Sequence, residues 1–233
     1  MPSKICFTSD LHLFSNRSNA EQYLPALKQL AQRSDVFVFG GDIFDFKWSQ
    51  YQSFKEGVNK SLDWLNAFMS DCPDTRFQYL IGNHDCVVEF VQAAEQLGTG
   101  NLEVEPYYLI HGETLFMHGD VIDAGGTQQG LELCRDRWQH GQPKGKIPNA
   151  IYDAAIAMGL HHTAARRLNA PAKVYELLNR YLIDIREKSR INTVVYGHTH
   201  WKNDFSMESI RFRNGGAAIK GLPFEPVVVQ IDD

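Results

Sequence analysis

Residues Val36 to Asp45 read VFVFGGDIFD. Four β-branched or aromatic residues in a row describe a strand buried on both faces, because a half-exposed strand would alternate with polar residues. The run stops at Gly40 and Gly41, and two carboxylates, Asp42 and Asp45, follow at once. Four other stretches repeat this unit: KICFTSDLH, ending on Asp10 and His12; FQYLIGNHD, ending on Asn83, His84 and Asp85; TLFMHGD, ending on His118 and Asp120; and TVVYGHTH, ending on His198 and His200. In each, metal-capable or turn residues sit just past the strand end.

Helical patterns fill the intervals. Leu24, Leu27, Leu30 and Ala31 share one face, as do Phe54, Val58, Leu62, Leu65, Phe68 and Met69, with Ser53 and Glu56 at capping-box spacing ahead of the second set. A third helix is expected over Val88 to Leu97 with Gly98 as its stop. From about Gly125 to Arg190 strand-like runs vanish, and helices are expected over Gln128 to His140, Asn149 to Leu168 and Pro171 to Lys188. We read residues 125–190 as a helical cap inserted beside the site, within one domain spanning residues 1–233. Plain flanking helices of the core are the other reading. Strands return in SIRFRN and PVVVQI.

Composition narrows the classes. With 233 residues, 43% hydrophobic, 22% charged and a formal charge of −5, the chain reads as an ordinary globular domain, and the acidic balance disfavours nucleic acid as a partner. No apolar run approaches the roughly 20 residues of a membrane span, which leaves only peripheral contact with a membrane open. The start of the chain lacks a signal-peptide pattern. Cys6, Cys72, Cys86 and Cys134 form no CxxC pair and read as free thiols of a reducing compartment, so a cytoplasmic location is expected.

The donor set carries the chemistry. An aspartate and a histidine after one strand also serve ordinary turns, but five strand ends loaded with nitrogen and oxygen donors, and no thiolate, suit Mn²⁺, Fe, Zn²⁺, Ni²⁺ or Co²⁺ rather than a structural zinc site. Two histidines one residue apart, just past a strand end, are expected to reach two different ions. A pair of ions needs a bridging carboxylate, and Asp42, on the Gly40-Gly41 turn, is placed for it.

The ordered series D-x-H (Asp10, His12), G-D-x-x-D (Gly41, Asp42, Asp45), G-N-H-D (Gly82 to Asp85), H-G-D (His118 to Asp120) and G-H-x-H (Gly197, His198, His200) resembles the calcineurin-like metallophosphoesterase superfamily. The resemblance implies an α/β fold of four layers, two mixed sheets between helices, and two divalent ions per chain, Mn²⁺ first among the candidates. One ion would be held by Asp10, His12, Asp42 and His200, the other by Asp42, Asn83, His118 and His198. A water shared by two such ions would be acidic enough to attack phosphorus as hydroxide near neutral pH. His84 is then the candidate acid for the leaving oxygen, with Asp85 orienting it and favouring its protonated form. Asp45 and Asp120 are expected behind the ligands.

The substrate is read as small and phosphorylated, with a phosphodiester or diphosphate favoured. Lys47, Trp48, Lys202, Arg166 and Arg167 are the candidate contacts; His111, His140, His161 and His162 read as solvated. Asp45 is followed by Phe46 and Lys47, whereas the protein serine/threonine phosphatases have arginine and glycine there. SDLHLF, GDIFDF, HGD, GHTH and the helical stretch between the last two resemble more loosely the UDP-2,3-diacylglucosamine diphosphatases of lipid A synthesis. A phosphomonoesterase, a nuclease and a non-catalytic metal-binding scaffold are the remaining alternatives.

Overall fold

The structure, a computed structural model, describes residues 2–97, 101–139, 144–145, 147–149, 153, 169–186 and 190–231. Two five-stranded sheets form its centre. In the first, β1 (Ser3–Thr8), β2 (Val36–Phe39), β3 (Arg76–Leu80) and β4 (Leu102–Glu105) run parallel, and β10 (Val227–Ile231) lies antiparallel beside β1. The second has the order β5-β6-β7-β9-β8, from β5 (Tyr108–His111), β6 (Thr114–Met117), β7 (Thr193–Tyr196), β8 (Asn203–Met207) and β9 (Ile210–Asn214). Its inner pairs, β6-β7 and β7-β9, are parallel and its outer pairs antiparallel. Both sheets are thus mixed, and SIRFRN and PVVVQI belong to different ones, the first inside its sheet beside the edge strand β8 and the second at an edge.

Strand periodicity explains why the five site-bearing runs are largely apolar, with Gln78 of β3 an exception. Ile5, Phe7, Val36, Val38 and Leu80 of the first sheet meet Leu109, Phe116 and Val195 of the second in a layer between the sheets. The residues that alternate with them face outward. Cys6, Phe37, Phe39, Phe77 and Tyr79 lie under α1 (Leu24–Ala31), α2 (Phe54–Ser70) and α3 (Val88–Glu95), while Leu115, Met117, Val194 and Tyr196 lie under α4 (Gln128–Gln139) and α5 (Pro171–Arg186). The result is helix, sheet, sheet, helix. Ser53 caps α2, its Oγ accepting from the Glu56 amide at 3.2 Å.

Of residues 125–190, α4 and α5 form the outer layer on the second sheet through Leu131, Val174, Leu178, Tyr181, Leu182 and Ile185. The helix expected over Asn149 to Leu168 lies outside the described residues except at Asn149 and Asp153, as do Gly98, His140, His161, His162, Arg166 and Arg167. Among the described residues no helix is long and apolar enough to cross a membrane.

Because β1, β2 and β3 run parallel in one sheet and β6 and β7 in the other, all five loaded strand ends reach the same edge of the sandwich. The inter-sheet layer sets how far apart the two halves stand. Phe116 is fully buried in it, its ring 6.0 Å from that of Phe7. Phe116→Ala should cost about 3–5 kcal/mol, seen as a lower midpoint with unchanged slope in urea unfolding.

Candidate metal centre

The loop after β1 lies along the loop after β2. The amides of Asp10, His12 and Leu13 donate to the carbonyls of Gly41, Asp42 and Ile43 at 3.0, 3.0 and 2.9 Å, and the Asp45 amide returns a bond to the Leu13 carbonyl at 3.0 Å. This zipper holds a backbone that side chains rarely adopt: Asp10, His12 and Asp42 have φ of 54°, 46° and 53°. His198 and His200 are left-handed too, at 65° and 55°. The pair therefore sits on a sharply turning loop and not on an extended segment, where residues two apart would share a face, and the turn sends the two rings to different donor groups. Left-handed backbone at such residues costs about 1–3 kcal/mol each and persists only where its surroundings over-determine it. Asn214, buried at the end of β9, supplies part of that support, its Nδ2 donating to the Gly197 carbonyl at 2.8 Å and Thr199 Oγ1 at 3.1 Å.

Two donor groups share Asp42: Asp10, His12, Asp42 and His200 form one, and Asp42, His118 and His198 the other, while His12, Asp45 and His84 form a third without it; in each the ligand atoms lie within 4.8 Å of one another. In the first, His200 Nε2 lies 3.0 Å from His12 Nε2 and 3.4 Å from Asp10 Oδ1. In the second, His118 Nε2 lies 3.4 Å from Asp42 Oδ2, and Asn83 Oδ1 joins at 3.1 Å from His198 Nδ1. A profile of the calcineurin-like phosphoesterases matches residues 3–202. The chain belongs to this family. It is a metallophosphoesterase, a hydrolase of phosphate esters.

A search of curated proteins returned no match. Among solved structures, a Streptococcus pneumoniae protein described as a predicted phosphoesterase is 14% identical at a TM-score of 0.44, covering 100% of this chain and 85% of its own. The phosphopantetheinyl hydrolase of Mycobacterium tuberculosis is 13% identical at 0.46, covering 92% and 90%. Vacuolar protein sorting 29 of Cryptosporidium parvum is 15% identical at 0.44, covering 99% and 87%.

The phosphoesterase's donors fit first-row ions. Metal–ligand bonds of about 2.1 Å place neighbouring donors about 3.0–3.4 Å apart, the spacing seen between His12 and His200, His200 and Asp10, and His118 and Asp42. His118 Nε2 is buried and has no hydrogen-bond partner, although its Nδ1 bonds the Gly40 carbonyl at 3.0 Å. The nearby thiol of Cys86 is engaged elsewhere, on the Asn83 carbonyl at 3.3 Å.

Charge in the site is tightly balanced. Burial works to raise the carboxyl pKa of Asp42, but the charges of His118 and His84 overcome it and hold it well below its ordinary value. Conversely, burial would lower His118, and Asp42 beside it lifts it to about 10. His84 is held at about 9 against burial by Asp45 and Asp42. In His200 burial prevails, and its pKa falls. Imidazolium charge thus offsets buried carboxylates where divalent ions would do the same and take the nitrogens' place as cations.

The role expected of Asp85 must be corrected. Its carboxylate is fully buried and accepts from Tyr79 Oη at 2.6 Å, the Gly82 amide at 2.7 Å and the Ile43 amide at 3.0 Å, so it secures the loop rather than the ring beside it. The carboxylate facing His84 Nδ1, at 3.0 Å, is that of Asp45, which also accepts from the Trp48 amide at 2.9 Å and lies 3.5 Å from His12 Nδ1. Asp120 is drawn away by a partner the sequence reading missed: Arg135 of α4 binds it at 2.7 and 2.9 Å, and the same guanidinium reaches the carbonyls of Ile81 and Pro106. Leu131, Arg135 and Trp138 are spaced along one helical stripe, a signal that Arg135 points inward. Trp138, also missed, lies against His84, the ring centroids 4.6 Å apart.

The substrate candidates scatter. Lys47 Nζ sits 3.6 Å over the Trp138 ring, close to the site. Trp48 lies under the buried Arg17, whose guanidinium is 5.2 Å from the indole centroid. Lys202 is paired with Glu225. His111 is not solvated, since its Nε2 meets Gln78 Oε1 at 2.7 Å across the sandwich.

Replacing Arg135 with Met would leave the Asp120 carboxylate buried without its cation. A loss of about 3–5 kcal/mol in denaturant-derived stability is expected.

Proposed function

We propose that this phosphoesterase uses two divalent ions to hydrolyse a phosphodiester or diphosphate, with the part of residues 125–190 that lies between α4 and α5 supplying a cap over the substrate. The observation that carries the two-ion reading is the position of Asp42, whose Oδ2 lies 3.9 Å from His12 Nε2 on one side and 3.4 Å from His118 Nε2 on the other. On this reading Asp10, His12, Asp42 and His200 hold one ion, and Asp42, Asn83, His118 and His198 the second. Mn²⁺ is the first candidate, with Fe, Zn²⁺, Ni²⁺ and Co²⁺ compatible with the same donors. When bound, the pair supplies an acidified water near neutral pH and positive charge for the phosphoryl oxygens.

The chain's own groups handle the leaving oxygen. His84 Nδ1 lies 3.0 Å from Asp45 Oδ1 without hydrogen-bond geometry, close enough for the carboxylate charge to favour the protonated ring, whose Nε2 then carries the proton for transfer. Trp138 covers the flank of the ring. Preference for a second anionic group on phosphorus is supported by the rim. Lys47 is partly withdrawn from water and lies near Lys144, two causes that lower its pKa and that an anion would relieve. The cap reading is supported by Asp153, which binds Arg17 Nη1 at 3.2 Å beside the Asp45 loop. Cys6, Cys72, Cys86 and Cys134 are all free, in keeping with a reducing, cytoplasmic setting.

His84→Ala should lower kcat by about 10²–10⁴-fold while metal content by elemental analysis stays at two ions per chain. Equal turnover would remove His84 from the acid role, and a content below two would defeat the two-ion reading.

Initial rates of one Mn²⁺-loaded preparation on an aryl phosphomonoester, an aryl phosphodiester and a UDP-sugar diphosphate give the substrate class. The diester or diphosphate is expected to lead, and the diphosphate arm tests the UDP-linked acylglucosamine reading. A faster monoester would overturn the preference.

A further inference from the structure

His198 uses its ring nitrogens in opposite directions. Nδ1 faces Asn83 Oδ1 at 3.1 Å, inside the second donor group, and Nε2 faces Asp123 Oδ2, also at 3.1 Å. A carboxylate accepts only from N–H, so this contact places a hydrogen on Nε2; Asn83 Oδ1 is an acceptor as well, so Nδ1 and the amide oxygen then present lone pairs to one point, as two ligands of a shared cation do.

Asp123 is held for this task. It follows a 3₁₀ turn over Asp120–Ile122, and its amide donates to the Asp120 carbonyl at 3.1 Å. The turn is pinned by Val121 and Ile122, both buried under the second sheet's helices, and by the Arg135 clamp on Asp120. Two other histidines of the donor groups have their outward nitrogens anchored as well: His12 Nδ1 lies 3.5 Å from Asp45, and His118 Nδ1 bonds the Gly40 carbonyl. Those anchors are buried, whereas the Asp123 side chain is 77% exposed.

We propose that Asp123 is a positioning residue for the second ion, fixing the tautomer and orientation of His198 and thereby raising affinity at that position alone. This rests on the two-ion reading above. Among the described residues the Asp123 carboxylate bonds only His198, so replacement is expected to leave the sandwich intact.

The test is calorimetric titration of chelator-stripped protein with Mn²⁺, with His200→Ala marking loss of the first ion and Asn83→Ala loss of the second. Asp123→Ala is expected to weaken the ion that Asn83→Ala weakens by about 10- to 100-fold, with the other held within about twofold and partial recovery in Asp123→Glu. Thermal unfolding of the stripped variant should coincide with wild type. Two ions bound with unchanged affinities in Asp123→Ala would overturn this inference alone, as would weakening of the ion that His200→Ala removes. A wild-type protein binding fewer than two ions would defeat the two-ion reading and this inference together.

Discussion

Asp10, Asp42, Asp45 and Asp85 are withdrawn from water at one edge of a two-sheet sandwich, and buried carboxylates are tolerated only when something answers their charge. The answers come mainly from other motifs' loops. The His84 amide donates to Asp42, the His198 amide to both oxygens of Asp10, and the Ile43 amide to Asp85. Asp10, Asp42 and Asp85 therefore tie their own strand ends to others, and the His118 loop joins through the Gly40 carbonyl and the Gly197 amide, so that five separate loops brace one another. The histidines complete the compensation, as the upward shifts of His84 and His118 record. Removing one carboxylate loosens a neighbouring loop as well as a donor group.

The same brace sustains the backbone conformation. Left-handed geometry brings Asp10 and His12 to one donor group from a short turn, and at His198 and His200 it lets residues two apart serve different ones. Gly41 and Gly82 make the crossing possible. A Cβ on Gly41, which has φ of +84°, would stand 2.6 Å from His118 Nδ1 and 2.8 Å from the Gly82 amide, and one on Gly82 would collide with Asp42. The glycines beside the ligands are thus demanded by close approach of two loops, and the strain in the ligands is carried by the hydrogen bonds between those loops.

Much of this was legible in the chain because two-sided burial leaves a plain trace. The five site-bearing strands are largely apolar, β2 and β6 buried on both faces, and each ends on its functional residues, so fold and site were read together. What escaped had weaker traces. β4 (LEVE) and β8 (NDFSM) lie at sheet edges, half exposed, and their charged residues hide them among loops. Asp85 was misread because adjacency in sequence suggested contact with His84, whereas successive side chains diverge and Asp45, far off in sequence, arrives instead. Asp123 carries no local signal at all; only the meeting of the two loops brings it to His198.

Both donor groups straddle the seam between the sheets. Asp10, His12, Asp42 and Asn83 come from strand ends of the first sheet, and His118, His198 and His200 from those of the second. The layer of Phe7, Val38, Leu80, Phe116 and Val195 is therefore a spacer as much as a core. A close-packed interior transmits a change of side-chain volume as a displacement. A methylene gained or lost there shears one set of ligands past the other, so the catalytic geometry is gauged by greasy residues that never touch it.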